Sequence, residues 1–361
     1  MRGILTLLLI PVPLYNQTVG SSFENLAHQA EVARDAGQID KAVGLYQSAL
    51  KVKPDWEEGW WSLGSIAYDR DHFSECAPAF RSLAKLKPDS APAWTMAGLC
   101  EYKLRRFDSA IESLGRAEAL KFDEPPELAR AARLHLALAL TKSEFFERAV
   151  AVLTELTRVH NSTPEILVAA GIAGLREPWL PAEVPEARRD LVYKLGDAMG
   201  AAMEMNFKAA IEKFQALVDQ YPGEANVHFR YGAFLSTKDS AAGVAEIKKA
   251  LELAPNHIPA MVGLSVIYLK REEFDSALEY GERAVKTSPG DFSTHIALGR
   301  AYLAKEDLAH AAEELETAVR LAPASPEAHF SLASTYSRLG RKEAAARELA
   351  DFKRLQHLDN R

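Results

Sequence analysis

The chain has 361 residues, of which 26% are charged and 48% are hydrophobic, the proportions of an ordinary folded protein rather than a disordered or fibrous one. Its 43 basic and 50 acidic side chains give a formal net charge of −7, and no run of Lys or Arg is longer than two residues. This charge pattern argues against nucleic acid as a partner.

The first 20 residues are predicted to be an export signal. Arg2 precedes an apolar stretch from Ile4 to Leu14, which is followed by polar and then by small residues. This is the order of a secretory signal, and cleavage is expected near Ser21. The alternative is an apolar N-terminal extension, but the stretch is too short to span a bilayer, which takes about 20 residues. We therefore expect a periplasmic or secreted protein with no stable membrane insertion after signal removal.

Proline recurs at a fixed interval in the rest of the chain. Pro255, Pro289 and Pro323 lie 34 residues apart, and Pro54 and Pro88 keep the same interval. A fixed period of this size indicates stacked copies of one supersecondary unit. Because each copy contacts only its neighbours, such an array grows by adding units, and the length of the chain reflects the number of repeats.

Each period contains two apolar stripes that end at the proline. The first stripe has the spacing i, i+3, i+4, i+7, which places its members on one face of a helix. In one unit its members are Trp60, Leu63, Gly64 and Ala67. A second stripe follows after a turn, and the proline then stops its helix. Each unit is therefore predicted to be a helical hairpin, in which a small residue at the third place lets another helix approach.

The hairpins resemble the tetratricopeptide repeat family, whose pattern of a large residue, Leu, Gly or Ala, Tyr, Ala, Phe, Ala and Pro these stripes follow. One unit carries the pattern in Trp60, Leu63, Gly64, Tyr68, Phe80 and Pro88, and another in Leu298, Gly299, Tyr302, Ala311, Ala318 and Pro323. Nine units begin near Phe23, Glu57, Ala91, Arg130, Leu191, Ala225, Ile258, Phe292 and Pro326. The resemblance implies an all-α fold, a right-handed superhelical solenoid interrupted once in the middle.

The interruption defines the predicted domains. Residues 164–177 read as a helix that Pro164 opens, and three prolines within 178–185 then break the period. We expect a signal peptide at 1–20, an N-terminal repeat array at 21–163, a connector at 164–204, and a C-terminal array with a capping helix at 205–361. The Pro-rich part of the connector is interpreted as a stiff linker or, through Trp179, as part of a partner contact.

The sequence contains none of the common patterns for a reacting group. A phosphate-binding Gly-rich loop, a Gly-x-Ser-x-Gly elbow and a His-Glu-x-x-His pair are all missing from it. His228, His295 and His329 take the large-residue place of their stripes and are interpreted as packing residues rather than metal ligands. We expect no enzyme, no cofactor and no metal. Cys76 and Cys100 are either buried thiols or, after export, a disulfide.

The remaining candidate is the face lined by the first helices, which the resemblance implies is concave. The side chains implied to point into it are mainly apolar, and those expected to bind a partner are Trp61, Tyr68, Leu99, Tyr102, Phe229, Val262, Val266, Leu269, Ile296, Arg300 and Phe330. Such a row of apolar side chains suits binding of an amphipathic helix or an extended segment. Alternatively, tight coiling of the solenoid or self-association covers these side chains. The sequence therefore predicts a non-catalytic scaffold that binds a protein or peptide segment. The alternative function is an accessory or substrate-recognition subunit of an enzyme or envelope assembly system.

Overall fold

The structure is a computed structural model that describes residues 15–121, 125–160, 162–238 and 240–359. Within these ranges the chain forms 19 α-helices and two 3-10 turns. It divides into an N-terminal unit that ends at Ala117 and a C-terminal unit that begins at Glu118. The apolar stretch of the predicted signal lies outside the described residues, and the domain boundaries expected from the sequence stay predictions.

The N-terminal unit is built from three helical hairpins. Its helices are α1 (Tyr15–Asp35), α2 (Ile39–Val52), α3 (Glu57–Asp69), α4 (Phe73–Leu86), α5 (Ala91–Lys103) and α6 (Phe107–Ala119), the last of which ends just beyond the unit. Helices α3 and α5 begin where the repeat pattern predicted, at Glu57 and Ala91. Helix α1 begins at Tyr15 and therefore includes the last residues of the predicted signal.

The C-terminal unit contains six further hairpins and one helix, α9, that belongs to none of them. Its helices are α7 (Pro126–Lys142), α8 (Phe146–His160), α9 (Pro164–Leu175), α10 (Arg189–Met203), α11 (Phe207–Gln220), α12 (Ala225–Leu235), α13 (Ser240–Leu253), α14 (Ile258–Lys270), α15 (Phe274–Thr287), α16 (Phe292–Ala304), α17 (Leu308–Leu321), α18 (Pro326–Arg338) and α19 (Lys342–Asp359). The predicted all-α hairpin fold is confirmed.

Small residues in the first stripe allow close helix packing. A Cβ atom added to Gly64 on α3 would lie 2.7 Å from Cε2 of Phe80 on α4. One added to Gly299 on α16 would lie 2.6 Å from Cγ of Leu315 on α17. Both distances are shorter than van der Waals contact, so a larger residue would push the helices apart, at a cost of about 1–3 kcal/mol. This is the role that the sequence pattern predicted for the third place.

Helix α9 packs against α10 with their backbones in contact. A Cβ atom on Gly171 would collide with the carbonyl oxygen of Val192, and one on Gly196 would collide with the carbonyl oxygen of Leu167. Helix α9 also contacts α7, α8 and α12. The segment predicted as an irregular connector is therefore packed into the helical stack of the C-terminal unit.

Residues 176–188 connect α9 to α10 through two 3-10 turns, Pro181–Glu183 and Glu186–Arg188. Lys142 of α7 holds the first turn, because its Nζ donates to the carbonyl oxygen of Pro178 at 2.8 Å and to Oε2 of Glu183 at 2.7 Å. Trp179 is half-buried. Its expected contribution to a partner contact stays a prediction.

Helix α19 is the predicted final helix. Arg347, Lys353 and Arg354 are exposed on it, as expected for the outer face of a terminal repeat. In the part of the chain that the structure describes, no helix combines the length and the apolar character needed to cross a bilayer.

Candidate functional site

Trp61 on α3 presents an aromatic surface to solvent. The residue is 39% exposed, whereas Phe80, which lies beneath it, is completely buried. The two rings meet edge to face with their centroids 5.3 Å apart. Phe80 therefore holds the exposed ring of Trp61 in place. A partner that covers this ring loses little side-chain conformational entropy, because the ring is already fixed.

A cavity of about 270 Å³ opens beside this ring. We name it the Trp61 pocket, and its lining residues are Glu57, Glu58, Trp61, Ser62, Leu83, Lys87 and Ser90. Nζ of Lys87 lies 2.7 Å from Oε2 of Glu57, and this hydrogen-bonded ion pair holds the pKa of Lys87 above its ordinary value. The pocket thus combines an apolar wall with a paired charge at its edge.

Tyr68 and Tyr102 occupy equivalent places near the ends of α3 and α5. Both are half-buried. The ring of Tyr68 lies 5.9 Å from that of Phe73, and the ring of Tyr102 lies 5.8 Å from that of Phe107. Each tyrosine therefore packs onto the first residue of the second helix in its own hairpin. Their expected contact with a partner stays a prediction.

Three of the residues expected on the binding face are buried. Leu99, Phe229 and Ile296 are 5%, 6% and 4% exposed. The ring of Phe229 packs against His257 at the start of α14, with the ring centroids 5.0 Å apart. The position after the large stripe residue is therefore covered by the next repeat at Phe229 and at Ile296, which packs with Ala328 of α18. Leu99 lies four positions after the equivalent place in its own repeat and is buried as well.

The residues expected on α14, and Arg300 on α16, are only partly covered. Val262, Val266 and Leu269 are half-buried, and Val262 and Leu269 pack against the core of the C-terminal unit. Arg300 is also half-buried, and its Nη1 donates to Oε1 of Glu327 on α18 at 2.8 Å. Arg300 therefore links the first helices of two successive repeats.

Phe330 on α18 is the most exposed of the predicted residues, at 53%. Its ring lies 5.1 Å from that of Phe352 on α19. A cavity of about 380 Å³ lies next to it, and we name this area the Phe330 surface, lined by Phe330, Ala333, Ser334, Ser337, Arg338, Ala345, Ala346 and Leu349. It is an apolar patch between the two helices of the last repeat.

A charged cluster that the repeat pattern does not contain joins α8, α9, α12 and α14. Arg230 of α12 donates from Nη1 and Nη2 to the two carboxylate oxygens of Glu147 on α8, at 2.8 and 2.9 Å. Arg176, which follows α9, donates to the same carboxylate at 2.7 Å. Asn226 donates to the last carbonyl of α9 at 2.7 Å and accepts from Nε2 of His257 at 2.9 Å. The cluster ties the additional helix to the repeats that follow it.

Burial and two arginines determine the protonation of this cluster. Burial, together with the charge of Arg176, lowers the pKa of His257 to about 4. The neutral ring also caps α14, because Nδ1 accepts from the backbone N–H of Ala260 at 3.1 Å. Desolvation acts to raise the pKa of Glu147, but Arg230 and Arg176 outweigh it and hold that pKa below its ordinary value. The cluster therefore contains ionised Glu147 and neutral His257 at pH 7.

The sequence offered little to reveal this cluster. Glu147 and Arg230 lie 83 positions apart, and neither belongs to an apolar stripe. The one indication is the Pro-rich break in the period beside Arg176. Sequence periodicity reports on packing within and between regular repeats, so it does not register contacts made by a helix outside the period.

The three histidines of the first stripes are buried, as their interpretation as packing residues required. On each ring, Nδ1 contacts a glutamate of the second helix and Nε2 contacts the carbonyl oxygen of the proline that precedes the hairpin. Across the described ranges, no three His, Cys, Asp or Glu side chains approach each other as the ligands of a metal ion would.

Cys76 on α4 and Cys100 on α5 are joined as a disulfide, with their Cα atoms 6.0 Å apart. This spacing lies within the ordinary range for disulfides. The bond connects the second helix of one repeat to the first helix of the next. Of the two alternatives that the sequence left open, the structure contains the disulfide.

Family models match three parts of the chain. The model described as the tetratricopeptide repeat matches residues 29–75 and 62–125, and a second one, described as the TPR repeat, matches residues 299–340. The model of the ChAPs, described as Chs5p-Arf1p-binding proteins, matches residues 194–318. No curated protein matches the chain.

Several solved structures of MamA are similar to just under half of the chain. One from Desulfovibrio magneticus RS-1 is 23% identical, covers 44% of this chain and 90% of its own, and has a TM-score of 0.40. A second, MamA MSR-1, is 20% identical, covers 46% and 95%, and has a TM-score of 0.36. These values are too low to carry a functional conclusion. The family models and the hairpins together indicate a protein-interaction scaffold, and they confirm the predicted family: the chain is a tetratricopeptide repeat protein.

Proposed function

We propose that the protein is a non-catalytic scaffold that binds a segment of a protein partner on its first helices. One observation carries the proposal: Trp61 is a large aromatic residue, 39% exposed, that is held by buried Phe80 beside a cavity of about 270 Å³. Interface hot spots are enriched in tryptophan and cluster around such pockets.

The shape and chemistry of the Trp61 pocket favour an apolar side chain with a polar neighbour. Trp61 and Leu83 supply the apolar wall, and the Lys87–Glu57 pair supplies both a donor and an acceptor at the rim. An amphipathic helix or an extended segment presents this combination. The Phe330 surface offers apolar area of the same kind in the C-terminal unit. The net charge of −7 further favours a protein over a nucleic acid.

The proposal that the protein is non-catalytic rests on how much of the chain the helical hairpins occupy. Nine hairpins and α9 account for nearly all of the described residues, and a separate catalytic domain would need about 100 residues of its own.

We also propose that the protein is exported to the periplasm or secreted. The order of residues 1–20 supports this, and so does the Cys76–Cys100 disulfide, because disulfides persist in oxidising compartments. Mass spectrometry of the exported protein should give an N-terminus near Ser21. Deletion of residues 2–14 should retain the protein in the cytoplasm. An exported protein that still carries Met1 would refute cleavage.

Site-specific photo-crosslinking tests the binding proposal. A photoreactive amino acid at position 61 should capture a partner in cells, and Trp61→Ala in the purified protein should weaken binding of that partner by about 2 kcal/mol while the helical content stays unchanged. The Phe330→Ala variant tests the second surface in the same way.

Tyr193 provides a matched control for these variants. It is an aromatic residue on α10, is 53% exposed, and lines neither surface. A photoreactive group at position 193 should not capture the same partner, and Tyr193→Ala should leave its affinity unchanged. Equal affinity of the Trp61→Ala variant and the unmodified protein would show that the partner binds elsewhere.

A further inference from the structure

Trp61 holds the same place in its repeat as Phe229 holds on α12, but the two rings are covered differently. The Cζ atom of Arg230 lies 5.1 Å from the centroid of the Phe229 ring, and the ring of His257 lies 5.0 Å from it. Among the residues that the structure describes, no Lys or Arg side chain lies over the Trp61 ring, which is 39% exposed. The cation that covers this place on α12 therefore has no counterpart on α3.

An arginine over a tryptophan also occurs inside the N-terminal unit. The Cζ atom of Arg116 on α6 lies 4.9 Å from the centroid of the Trp94 ring on α5. A guanidinium group is attracted by the negative face of an aromatic ring and stacks on it through its own plane. The chain thus uses this contact in both units, and the exposed ring of Trp61 is available for the same contact with a group from another molecule.

Glu58 lies one helical turn before Trp61, in the first turn of α3, and is exposed. Residues three positions apart are neighbours on the surface of a helix, and both side chains line the Trp61 pocket. Across the described ranges, the carboxylate of Glu58 makes no hydrogen bond and no ion pair with another side chain. Its oxygens are therefore open to a donor that enters the pocket.

Acidic groups outnumber the basic group at the rim of the pocket. Nζ of Lys87 lies 2.7 Å from Oε2 of Glu57. The hydrogen bond and the charge of Glu57 do most to raise the pKa of Lys87, and the charges of Asp89 and Glu58 raise it further. Three carboxylates thus act on one ammonium group, which leaves negative charge beside the exposed ring. A cationic side chain of a partner is complementary to this arrangement.

We propose that the Trp61 pocket binds an arginine side chain of the partner segment, with the guanidinium over the indole ring and its N–H groups donating to the carboxylate of Glu58. This inference rests on the proposed function, because it specifies the chemistry of the segment that is bound there. The aliphatic part of an arginine packs along the apolar wall formed by Trp61 and Leu83, while its charged end reaches the rim. Arginine fits better than lysine, because its planar group both stacks on a ring and donates two parallel hydrogen bonds to a carboxylate.

Small probes test this side-chain chemistry before any partner is identified. The probes are Nα-acetyl-arginine amide, the corresponding lysine and leucine amides, and the citrulline amide, a neutral isostere of arginine. The readout is the NMR signal of the indole N–H of Trp61 in the full-length protein with isotope-labelled tryptophan, assigned by means of the Trp61→Phe variant. The chain has five tryptophans, so the signals of the others serve as internal references.

The arginine probe should shift the Trp61 signal in a saturable manner. The citrulline probe should bind about tenfold more weakly, because it loses both the cation–π attraction and the ion pair, each of which contributes roughly threefold. The leucine probe should bind more weakly than the arginine probe for the same reason. The lysine probe keeps the charge but not the planar group, so its affinity should lie between those of arginine and citrulline.

Two substitutions at the rim should change the affinity for the arginine probe in opposite directions while the helical content stays unchanged. Glu58→Gln removes the accepting charge and should weaken binding about threefold. Lys87→Gln removes a competing cation and releases Glu57, so binding should strengthen by a similar factor, about threefold. Glu75→Gln is the matched control, because Glu75 is also exposed in the first turn of its helix, α4, and does not line the pocket. This variant should bind the arginine probe as the unmodified protein does.

The outcomes separate this inference from the proposed function. A leucine, lysine or citrulline probe that binds at least as tightly as the arginine probe would overturn the assignment of arginine, and so would equal affinity of the arginine probe for the Glu58→Gln variant and the unmodified protein. Both results would leave the Trp61 pocket as a binding site for a different side chain. If no probe shifts the Trp61 signal, the inference is overturned, and photo-crosslinking at position 61 still decides separately whether a partner binds there.

Discussion

Arg230 and Glu147 are 83 positions apart in the sequence, yet two hydrogen bonds of 2.8 and 2.9 Å join the guanidinium to both carboxylate oxygens. This bidentate geometry is the strongest that an arginine makes with a carboxylate. Arg230 is 8% exposed, whereas the side chain of Glu147 is 54% exposed. The pair therefore lies at the border between the core and solvent, and its contribution to stability falls between those of buried and surface ion pairs.

Replacement of Arg230 by Met should lower the free energy of unfolding by about 2 kcal/mol. This is less than the 3–5 kcal/mol for breaking a fully buried pair, because water reaches Glu147 and screens the remaining charge. Urea denaturation of the single variants Arg230→Met and Glu147→Gln and of the double variant measures the coupling. Arg354→Met, which breaks an exposed pair with Asp351, should change stability by no more than about 0.5 kcal/mol. Strictly additive effects of the two substitutions would show that the pair contributes nothing.

His257 should make the protein less stable in acid. Its pKa is lowered to about 4 by burial and by Arg176, so between pH 4 and about pH 6.5 the unfolded chain binds more protons than the folded one. The stabilisation is present above pH 6.5 and is lost as the pH falls towards 4, with a total of about 2 kcal/mol once partial exposure is allowed for. Asparagine at position 257 can still cap α14 but does not titrate. The difference in the free energy of unfolding between the unmodified protein and the His257→Asn variant should therefore vary between pH 4 and about pH 6.5. A constant difference would contradict the prediction.

Reduction of the Cys76–Cys100 disulfide should destabilise the N-terminal unit. The bond closes a loop with a sequence separation of 24 residues, for which the chain-entropy estimate is about 3 kcal/mol. Thermal unfolding with and without a reductant measures the loss, and the variant Cys76→Ala, Cys100→Ala should not respond to the reductant. Labelling of two free thiols in the native, unreduced protein would contradict the prediction.

A fragment of residues 205–361 should fold by itself. It contains the complete hairpins α12–α13, α14–α15, α16–α17 and α18–α19, and three or more stacked repeats generally bury a continuous core. Circular dichroism should show a helical spectrum and a cooperative thermal transition. A largely unstructured fragment would mean that these repeats depend on α10 or on earlier helices.

The sequence predicted the repeats well because their core is local and periodic. Helices α12, α14, α16 and α18 begin at Ala225, Ile258, Phe292 and Pro326, where the stripes placed them. The prediction was less accurate for α7, expected near Arg130, because Pro126 at the first helical position starts that helix earlier.

The candidate site was less predictable because exposure depends on the neighbouring repeat. Trp61 and Phe229 hold the same place in their repeats, yet one is 39% exposed and the other 6%. The difference arises because His257 and Arg230 cover the ring of Phe229. These neighbours belong to the junction around α9, which lies outside the period, so no stripe in the sequence reports them.

The contact between Gly171 and Gly196 has a consequence for how such a chain can change. In a periodic array, a helix without a hairpin partner interrupts the stacking of the repeats. Such an interruption persists only if the repeats on both sides still pack against that helix. Here the fit depends on two positions without side chains, where α9 and α10 touch backbone to backbone. A methyl group at either position would open that contact. Substitutions in the connection at 176–188 should therefore be tolerated far better than substitutions at these two glycines.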